Sequence, residues 1–301
     1  MSGKWAAADI PDQHGRVAIV TGANSGLGLV TARELARRGA EVVVACRSTE
    51  KGAAAAEEIA AHAGGSAPRV EQLDLGSLDS VREFAGAFSG GRVDLLVNNA
   101  GVMMTPQQKT SDGFELQLGT NHLGHFALTG LMLEALGRSE SARVVTLSSN
   151  EHKGGTLDFD DLQQTDGYSP RGSYQRSKLA NAVFAVELDR RLRAAGSPVT
   201  SVFAHPGYSA TNLQSSGPTG AAKAVMAISN RLLAQSAERG ALPTLYAATA
   251  PGVEGGDYYG PDGLGEFRGF PEKVEAIPAA YDREIGARLW EVSEELTGVS
   301  Y

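Results

Sequence analysis

Val17-Ala18-Ile19-Val20-Thr21-Gly22-Ala23-Asn24-Ser25-Gly26-Leu27-Gly28 is the stretch that decides the fold. A β-branched run that reads as a strand (Val17–Val20) passes straight into a glycine-rich turn. A helical pattern with apolar residues three and four apart follows over 26–38. Glycines at such a junction permit a tight turn and let backbone N–H groups approach a pyrophosphate, while the helix N-terminus favours its negative charge. The spacing is G-x-x-x-G-x-G rather than the general dinucleotide fingerprint G-x-G-x-x-G. With 37 glycines in the chain, such a turn can also be no more than a turn. Its place at the first strand–helix junction favours a nucleotide held by Gly22, Asn24, Ser25, Gly26, Leu27 and Gly28.

Outward from this turn the same rhythm repeats. Glu41–Ala45, Arg69–Leu73, Leu95–Asn98, Arg143–Leu147 and Val199–Ala204 read as strands, with helices near 49–62, 77–89, 112–137 and 173–195 between them. Strand–helix alternation on this scale predicts an α/β fold, a single-domain doubly wound parallel sheet of Rossmann type with helices on both faces. The cofactor-binding half spans about 10–207. Beyond it, Ser215–Gly220 is rich in Gly, Ser and Pro and leads into the apolar stretch Ala221–Leu233, and a helix is expected near 238–249. This segment, about 208–250, reads as a C-terminal substrate lid. A strand at Asp257–Tyr259 and one amphipathic helix ending near Leu296 complete the chain (255–299), with Trp290 on the buried side of that helix.

The second strand ends Val44-Ala45-Cys46-Arg47. An NAD site usually places a carboxylate there for the adenosine ribose. Here a guanidinium follows instead, and Arg47 suits a 2′-phosphate, so NADP(H) is the expected cofactor. A solvated surface arginine is the alternative. Tyr174 and Lys178 stand four apart in a helical pattern and so share a face. A phenol titrates near ~10, and a nearby ammonium favours its phenolate, which makes the pair apt for acid–base work. Ser149 ends the fifth strand, at the carboxyl edge where parallel sheets bind ligands, although an ordinary strand-end cap reads the same way.

Composition narrows the function classes. Apolar residues make up 42% and charged residues 21%, which supports a sizeable core, and the net charge of −8 comes with no basic stripe for nucleic acid. The sole cysteine, Cys46, cannot form an internal disulfide, which fits a reducing compartment. No apolar run of signal or membrane-spanning length occurs, so the expected location is cytoplasmic, with no membrane anchor.

Thr21–Gly28, Asn98-Asn99-Ala100-Gly101, Asn121, Ser149, Tyr174-x-x-x-Lys178 and Pro206-Gly207 occur in the order and spacing of the short-chain dehydrogenase/reductase superfamily. The chain resembles in particular its retinol-dehydrogenase-like and protochlorophyllide-reductase-like branch, through Asn121-His122-Leu123-Gly124-His125-Phe126, Ser177-Lys178-Leu179-Ala180-Asn181 and Ala45-Cys46-Arg47. The resemblance runs from about Asp9 to Val299. The expected departures from it are the hydrophobic N-terminal anchor of membrane-bound retinol dehydrogenases and the extended insertion of protochlorophyllide reductases, for neither of which the sequence shows a clear counterpart.

The resemblance implies a role for each matching residue. Tyr174 would be general acid in reduction and general base in oxidation. Lys178 would lower its pKa and hold the nicotinamide ribose. Ser149, preferred to Ser148, would hydrogen-bond the substrate oxygen, and Asn121 would anchor a water linking Lys178 to solvent. Asp74 and Leu75 would flank the adenine and Asn99, Ala100 and Gly101 would line the cleft. Pro206, Gly207 and Thr211 would close over the nicotinamide. His122, His125, His152 and His205 suggest no metal site. The expected activity is hydride transfer between NADP(H) and a carbonyl or alcohol. Net non-redox chemistry such as epimerisation, and a silent nucleotide-binding protein, are the alternatives. A small-molecule partner is implied and a homo-oligomer is left open. The apolar body of the lid, with Val225, Met226, Ile228, Leu232 and Leu233, points to a bulky, hydrophobic substrate.

Overall fold

A computed structural model describes residues 4–208 and 235–301. The lid body, Thr211, Met226 and Leu232 lie outside the described residues. Among those described, one sheet holds eight strands: β1 (Val17–Thr21), β2 (Glu41–Cys46), β3 (Arg69–Gln72), β4 (Leu95–Asn98), β5 (Arg143–Leu147), β6 (Thr200–Ala204), β7 (Tyr258–Pro261) and β8 (Pro271–Val274). Their order is β3-β2-β1-β4-β5-β6-β7-β8. All pairings are parallel except β7 with β8. Strand order reverses between β1 and β4, and the crevice outside their carboxyl ends is where an open α/β sheet binds ligands.

The helices that cover the sheet are α1 (Gly26–Arg37), α2 (Thr49–Ala60), α3 (Leu78–Gly86), α4 (Gly124–Gly137), α5 (Pro170–Ala194), α6 (Leu242–Thr249) and α7 (Arg283–Thr297). Adjacent residues on the central strands feed opposite layers. Ile19, Leu96 and Val144 pack with Phe126, Phe184 and Trp290, and Val20, Val97 and Val145 with Leu35, Val202 and Leu245. Burial on both faces explains why these strands read as continuous apolar runs. Caps set the helix starts: Ser48 Oγ accepts from Lys51 N, Ser77 Oγ from Ser80 N, and Asp282 from Glu284 N. Among the described residues no helix is long and apolar enough to cross a membrane.

Two expected helices need correction, and one strand is additional. The helix expected over 112–137 begins as a short turn at Leu116–Leu118, passes through a π-turn (Gly119–Leu123), and becomes regular only at Gly124. Glu115 caps the first turn, accepting from Gln117 N and Leu118 N. Gly119 and Gly124 allow the wide turn to lie against Thr110 and the Leu75 carbonyl, where a Cβ would collide. The helix near 238–249 divides into Ala237–Gly240 and α6, whose second residue is Pro243. β8 was not anticipated. It is a four-residue edge strand that opens on a proline, too short for a period-two pattern.

Two buried histidines make stability sensitive to acid. His125 bonds Thr21 Oγ1 through Nε2 and the Asn121 carbonyl through Nδ1, both at 2.9 Å, and His122 Nε2 bonds Ser293 Oγ at 2.9 Å. Burial holds His122 down to about 3 and His125 down to about 4. Below the ordinary value of 6.5 the unfolded chain therefore binds protons that the folded chain refuses, and stability falls with pH. The expected loss is roughly 2 kcal/mol per histidine between about pH 6.5 and pH 5, a window above most carboxylate titrations. Denaturant midpoints measured at intervals across that window check this. A flat profile would show that these imidazoles accept protons in the folded state.

Candidate active site

Backbone geometry builds the floor of the cleft. Gly22 and Gly26 have φ of +67° and +56°, the left-handed region that glycine tolerates. A Cβ on Gly28 would sit 2.5 Å from both the Gly22 carbonyl oxygen and Asn99 Nδ2, so only glycine allows α1 to start this close to β1. Thr21 ties the neighbouring strand end into the turn: its hydroxyl accepts from the N–H of Asn99 and of Ala100 at 2.9 Å, and Asn99 Nδ2 donates to the Thr21 carbonyl at 2.7 Å.

Gly22, Asn24, Ser25, Gly26, Leu27, Gly28, Asn99, Ala100, Gly101, Tyr174, Lys178 and Pro206 all line one cavity of about 210 Å³, together with Leu147 and Ser148. An adjoining cavity of about 220 Å³ is lined by Arg47, Asp74 and Leu75 and shares Gly22, Asn24, Ala100 and Gly101 with the first. The two form one elongated cleft over the carboxyl ends of β1, β2 and β4. Asp74 does not face it freely, since its Oδ1 accepts from Gly76 N at 2.9 Å. Gly207, with φ of +62°, follows Pro206 where a Cβ would sit 2.5 Å from the Phe267 carbonyl. Sequence reading missed Ser48, Lys51 and Thr120 in the second cavity. For Lys51 a signal was available: it falls in the first turn of the helix that follows Arg47.

Tyr174 and Lys178 project from α5, which Ser169 caps by accepting from Gly172 N, with Pro170 at the first helical turn. Lys178 Nζ donates to the Leu147 carbonyl at 3.0 Å and lies 5.8 Å from the centre of the Tyr174 ring. The Ser149 hydroxyl accepts from Glu151 N at 3.2 Å, and it lies near enough to the Tyr174 phenol to lower its pKa. Ser148, and not Ser149, is among the residues that line the cavity, and its hydroxyl donates to the Lys178 carbonyl at 2.8 Å. Asn121 stands one layer back. Its Nδ2 donates to Ser177 Oγ and the Val102 carbonyl, and its Oδ1 accepts from Val102 N at 2.8 Å. It comes close to the cleft at Gly101, where a Cβ would lie 3.0 Å from Asn121 Oδ1 and 3.7 Å from Lys178 Nζ.

The electrostatics differ from the expectation that lysine lowers the tyrosine. Burial pushes the Tyr174 phenol up to about 12, against a smaller lowering by the Ser149 hydroxyl. Burial also brings Lys178 down to about 8. The lysine charge is anchored on the Leu147 carbonyl and not on the phenol, so desolvation wins.

A doubly wound sheet with a glycine cradle at its switch point, and a tyrosine and a lysine across the cleft, defines a Rossmann-type nucleotide-binding enzyme. A family model described as short chain dehydrogenase matches residues 16–221. Human retinol dehydrogenase 13 is 43% identical over 95% of this chain and 85% of its own length. Mouse polyprenol dehydrogenase is 44% identical over 96% and 86%. Among solved structures, an uncharacterized protein from Mycobacterium paratuberculosis superposes with a TM-score of 0.84 at 45% identity, covering 99% of each chain. The Pseudomonas aeruginosa RhlG/NADP complex superposes with a TM-score of 0.64 at 25% identity, covering 82% of this chain and 94% of that one. The protein belongs to the short-chain dehydrogenase family, in its retinol-dehydrogenase-like branch, and is an oxidoreductase.

Proposed function

We propose that the protein transfers a hydride reversibly between NADP(H) and a carbonyl or alcohol of a bulky, mainly hydrophobic substrate. The observation that carries this reading is the placing of Tyr174 and Lys178 on the wall of the cavity whose floor is the glycine cradle. The cradle fits a dinucleotide because the close approach at Gly28 leaves the backbone of the turn and the α1 N-terminus open to a pyrophosphate. When bound, the nicotinamide supplies or accepts the hydride.

The chain's own residues do the rest. Gly22 through Gly28 hold the pyrophosphate, Arg47 and Lys51 take the 2′-phosphate, and Asp74 and Leu75 bound the adenine. Asn99, Ala100 and Gly101 line the middle of the cleft, and Pro206, Gly207 and Thr211 bound the nicotinamide. Ser149 orients the substrate oxygen. The Tyr174 phenol gives that oxygen a proton in reduction and takes one in oxidation. Lys178 holds the nicotinamide ribose, and Asn121 fixes the loop at Val102 behind it.

The substrate class rests on the apolar sequence 221–233 and on relatives named for retinol and polyprenol, both long apolar alcohols. The test is a panel of apolar aldehydes, ketones and alcohols beside small anionic carbonyls, each with NADP(H) and NAD(H). The expected best substrate is apolar. Polar substitution at Met226 or Leu232 is expected to raise its KM more than it lowers Tm. A small charged metabolite as the best substrate would remove the lid from the account.

A further inference from the structure

We propose that Glu266 is a positioning residue that holds the segment carrying Ser149 in register with the Pro206-Gly207 turn. The inference rests on the reading that this turn bounds the nicotinamide and that Ser149 meets the substrate.

Glu266 lies in the loop between β7 and β8, in sequence remote from every residue of the cleft. Its backbone has φ of +58°, a left-handed conformation that only two other non-glycine residues share among those described. Glycines stand on its N-terminal side at Gly263 and Gly265, so the loop has residues suited to such backbone, yet a glutamate takes this position. A non-glycine outlier of this kind persists where the surrounding contacts over-determine it.

Those contacts reach both sides of the cleft. On the β6 side, His205 is fully buried just before Pro206. Gly207 N donates to His205 Nδ1 at 3.2 Å, so Nε2 carries the proton and donates to Glu266 Oε2 at 2.9 Å. The imidazole thus transmits the position of the carboxylate to the backbone of the turn. On the β5 side, Lys153 Nζ donates to Glu266 Oε1 at 2.8 Å. Lys153 sits on the single-turn helix Asn150–Gly154 that starts at Ser149. Asn150 Nδ2, next to Ser149, donates to the Gly265 carbonyl at 2.9 Å. One carboxylate therefore joins the helix that begins at the catalytic serine to the turn at the end of the neighbouring strand.

The loop that carries Glu266 is itself fastened. Phe267 O accepts from Tyr208 N at 2.8 Å. Gln235 spans the gap, donating from Nε2 to the Pro206 carbonyl at 2.7 Å and accepting at Oε1 from Gly269 N at 3.3 Å. Phe270 lies with Lys4 Nζ at 4.5 Å and Arg239 Cζ at 4.6 Å from its ring centre. A strap tied at both ends gives the glutamate a fixed base. Gly260 leaves the space this needs, because a Cβ there would overlap His205 Nε2.

The test compares Glu266→Ala with Glu266→Gln, in which the amide oxygen still accepts from His205. NADPH affinity is read by fluorescence titration, kcat and KM with all-trans-retinal as an apolar aldehyde probe, and amide hydrogen exchange at 205–208 without cofactor. Glu266→Ala is expected to weaken NADPH by ~10-fold, the factor one lost charge-assisted hydrogen bond corresponds to, with kcat falling alongside. Retinal KM should stay within about twofold, exchange at Gly207 should quicken, and Glu266→Gln should recover most of the loss. Lys153→Met, an exposed change that cuts only the Ser149 side, should lower kcat about threefold and leave NADPH affinity alone. Wild-type affinity and kcat in Glu266→Ala, a glutamine variant as impaired as the alanine, or a lower Tm with unchanged kinetics would each overturn the proposal. If Glu266→Ala does not fold, wild-type kcat in Lys153→Met overturns it. A wild-type protein that binds neither NADPH nor NADH would overturn the functional reading itself, whereas unchanged exchange at Gly207 in Glu266→Ala counts against Glu266 alone.

Discussion

Replacing Tyr174 by Phe should cut turnover by at least ~10²-fold while NADPH binding stays close to that of the wild type, the size of loss expected when a general acid–base group is removed. Tyr174 is only 5% exposed, and its ring packs in the wall of the cleft within 5.8 Å of Lys178 Nζ. The change deletes one hydroxyl and leaves that packing in place. Ser149 keeps its bond from Glu151 N, so the serine segment has no reason to move. The pH dependence has a definite sign. A phenol pushed up to about 12 is protonated throughout the neutral range, ready to donate in carbonyl reduction. Alcohol oxidation needs the phenolate, so its kcat should climb with pH by up to about tenfold per unit. Lys178, brought down to about 8, loses its charge as pH rises further, and the climb should flatten there. Near-normal kcat in Tyr174→Phe, or an oxidation rate that falls from pH 6 to 8, would refute the acid–base role.

The sheet was legible because parallel strands buried on both faces give continuous apolar runs such as Val17–Val20 and Leu95–Asn98, and each is followed by a helix of matching period. The cradle was legible because glycines at a strand–helix junction answer a local need of the backbone. What stayed hidden depends on contacts distant in sequence. The π-turn at Gly119–Leu123 exists because Gly119 and Gly124 lie against Thr110 and Leu75, and neither contact leaves a periodic trace. β8 is held by its pairing to β7, with Val274 opposite Tyr258, and four residues opening on Pro271 do not announce it. Spacing places Lys178 on the same face as Tyr174 but says nothing of the burial that raises the phenol or of the Leu147 carbonyl that holds the ammonium. Glu266 carries no motif, and only the fold brings it to His205 and Lys153.

Cofactor choice should turn on Arg47 and Lys51. Arg47 follows β2, and Lys51 lies one turn into α2, where its backbone N–H meets the Ser48 cap; both line the cavity that also holds Asp74 and Leu75. The carboxylate of an NAD site is not present at the end of β2. The position that would carry a ribose-binding carboxylate is Cys46, a buried thiol that donates to the Ser48 carbonyl at 3.2 Å. The space beside it is closed, since a Cβ on Gly52 would already lie 2.7 Å from Cys46 Sγ. A 2′-phosphate placed here meets two cations and the N-terminal end of a helix, whereas a bare ribose meets no carboxylate at the end of β2. Arg47→Asp both removes a cation and adds a repelling charge, so kcat/KM for NADPH should fall by ~10²-fold or more, at about 1.5–3 kcal/mol per charged hydrogen bond lost. NADH should gain several-fold, because the new carboxylate offers the ribose hydroxyls an acceptor. Lys51→Ala should lower kcat/KM for NADPH by about tenfold and leave NADH unchanged, and raising the salt concentration should narrow the gap between the two cofactors in the wild type. Steady-state kinetics with both cofactors on these three proteins decide the matter. A wild type that already prefers NADH, or variants in which both cofactors weaken equally, would mean that the loss lies in the shared pyrophosphate cradle and that Arg47 is a solvated surface residue.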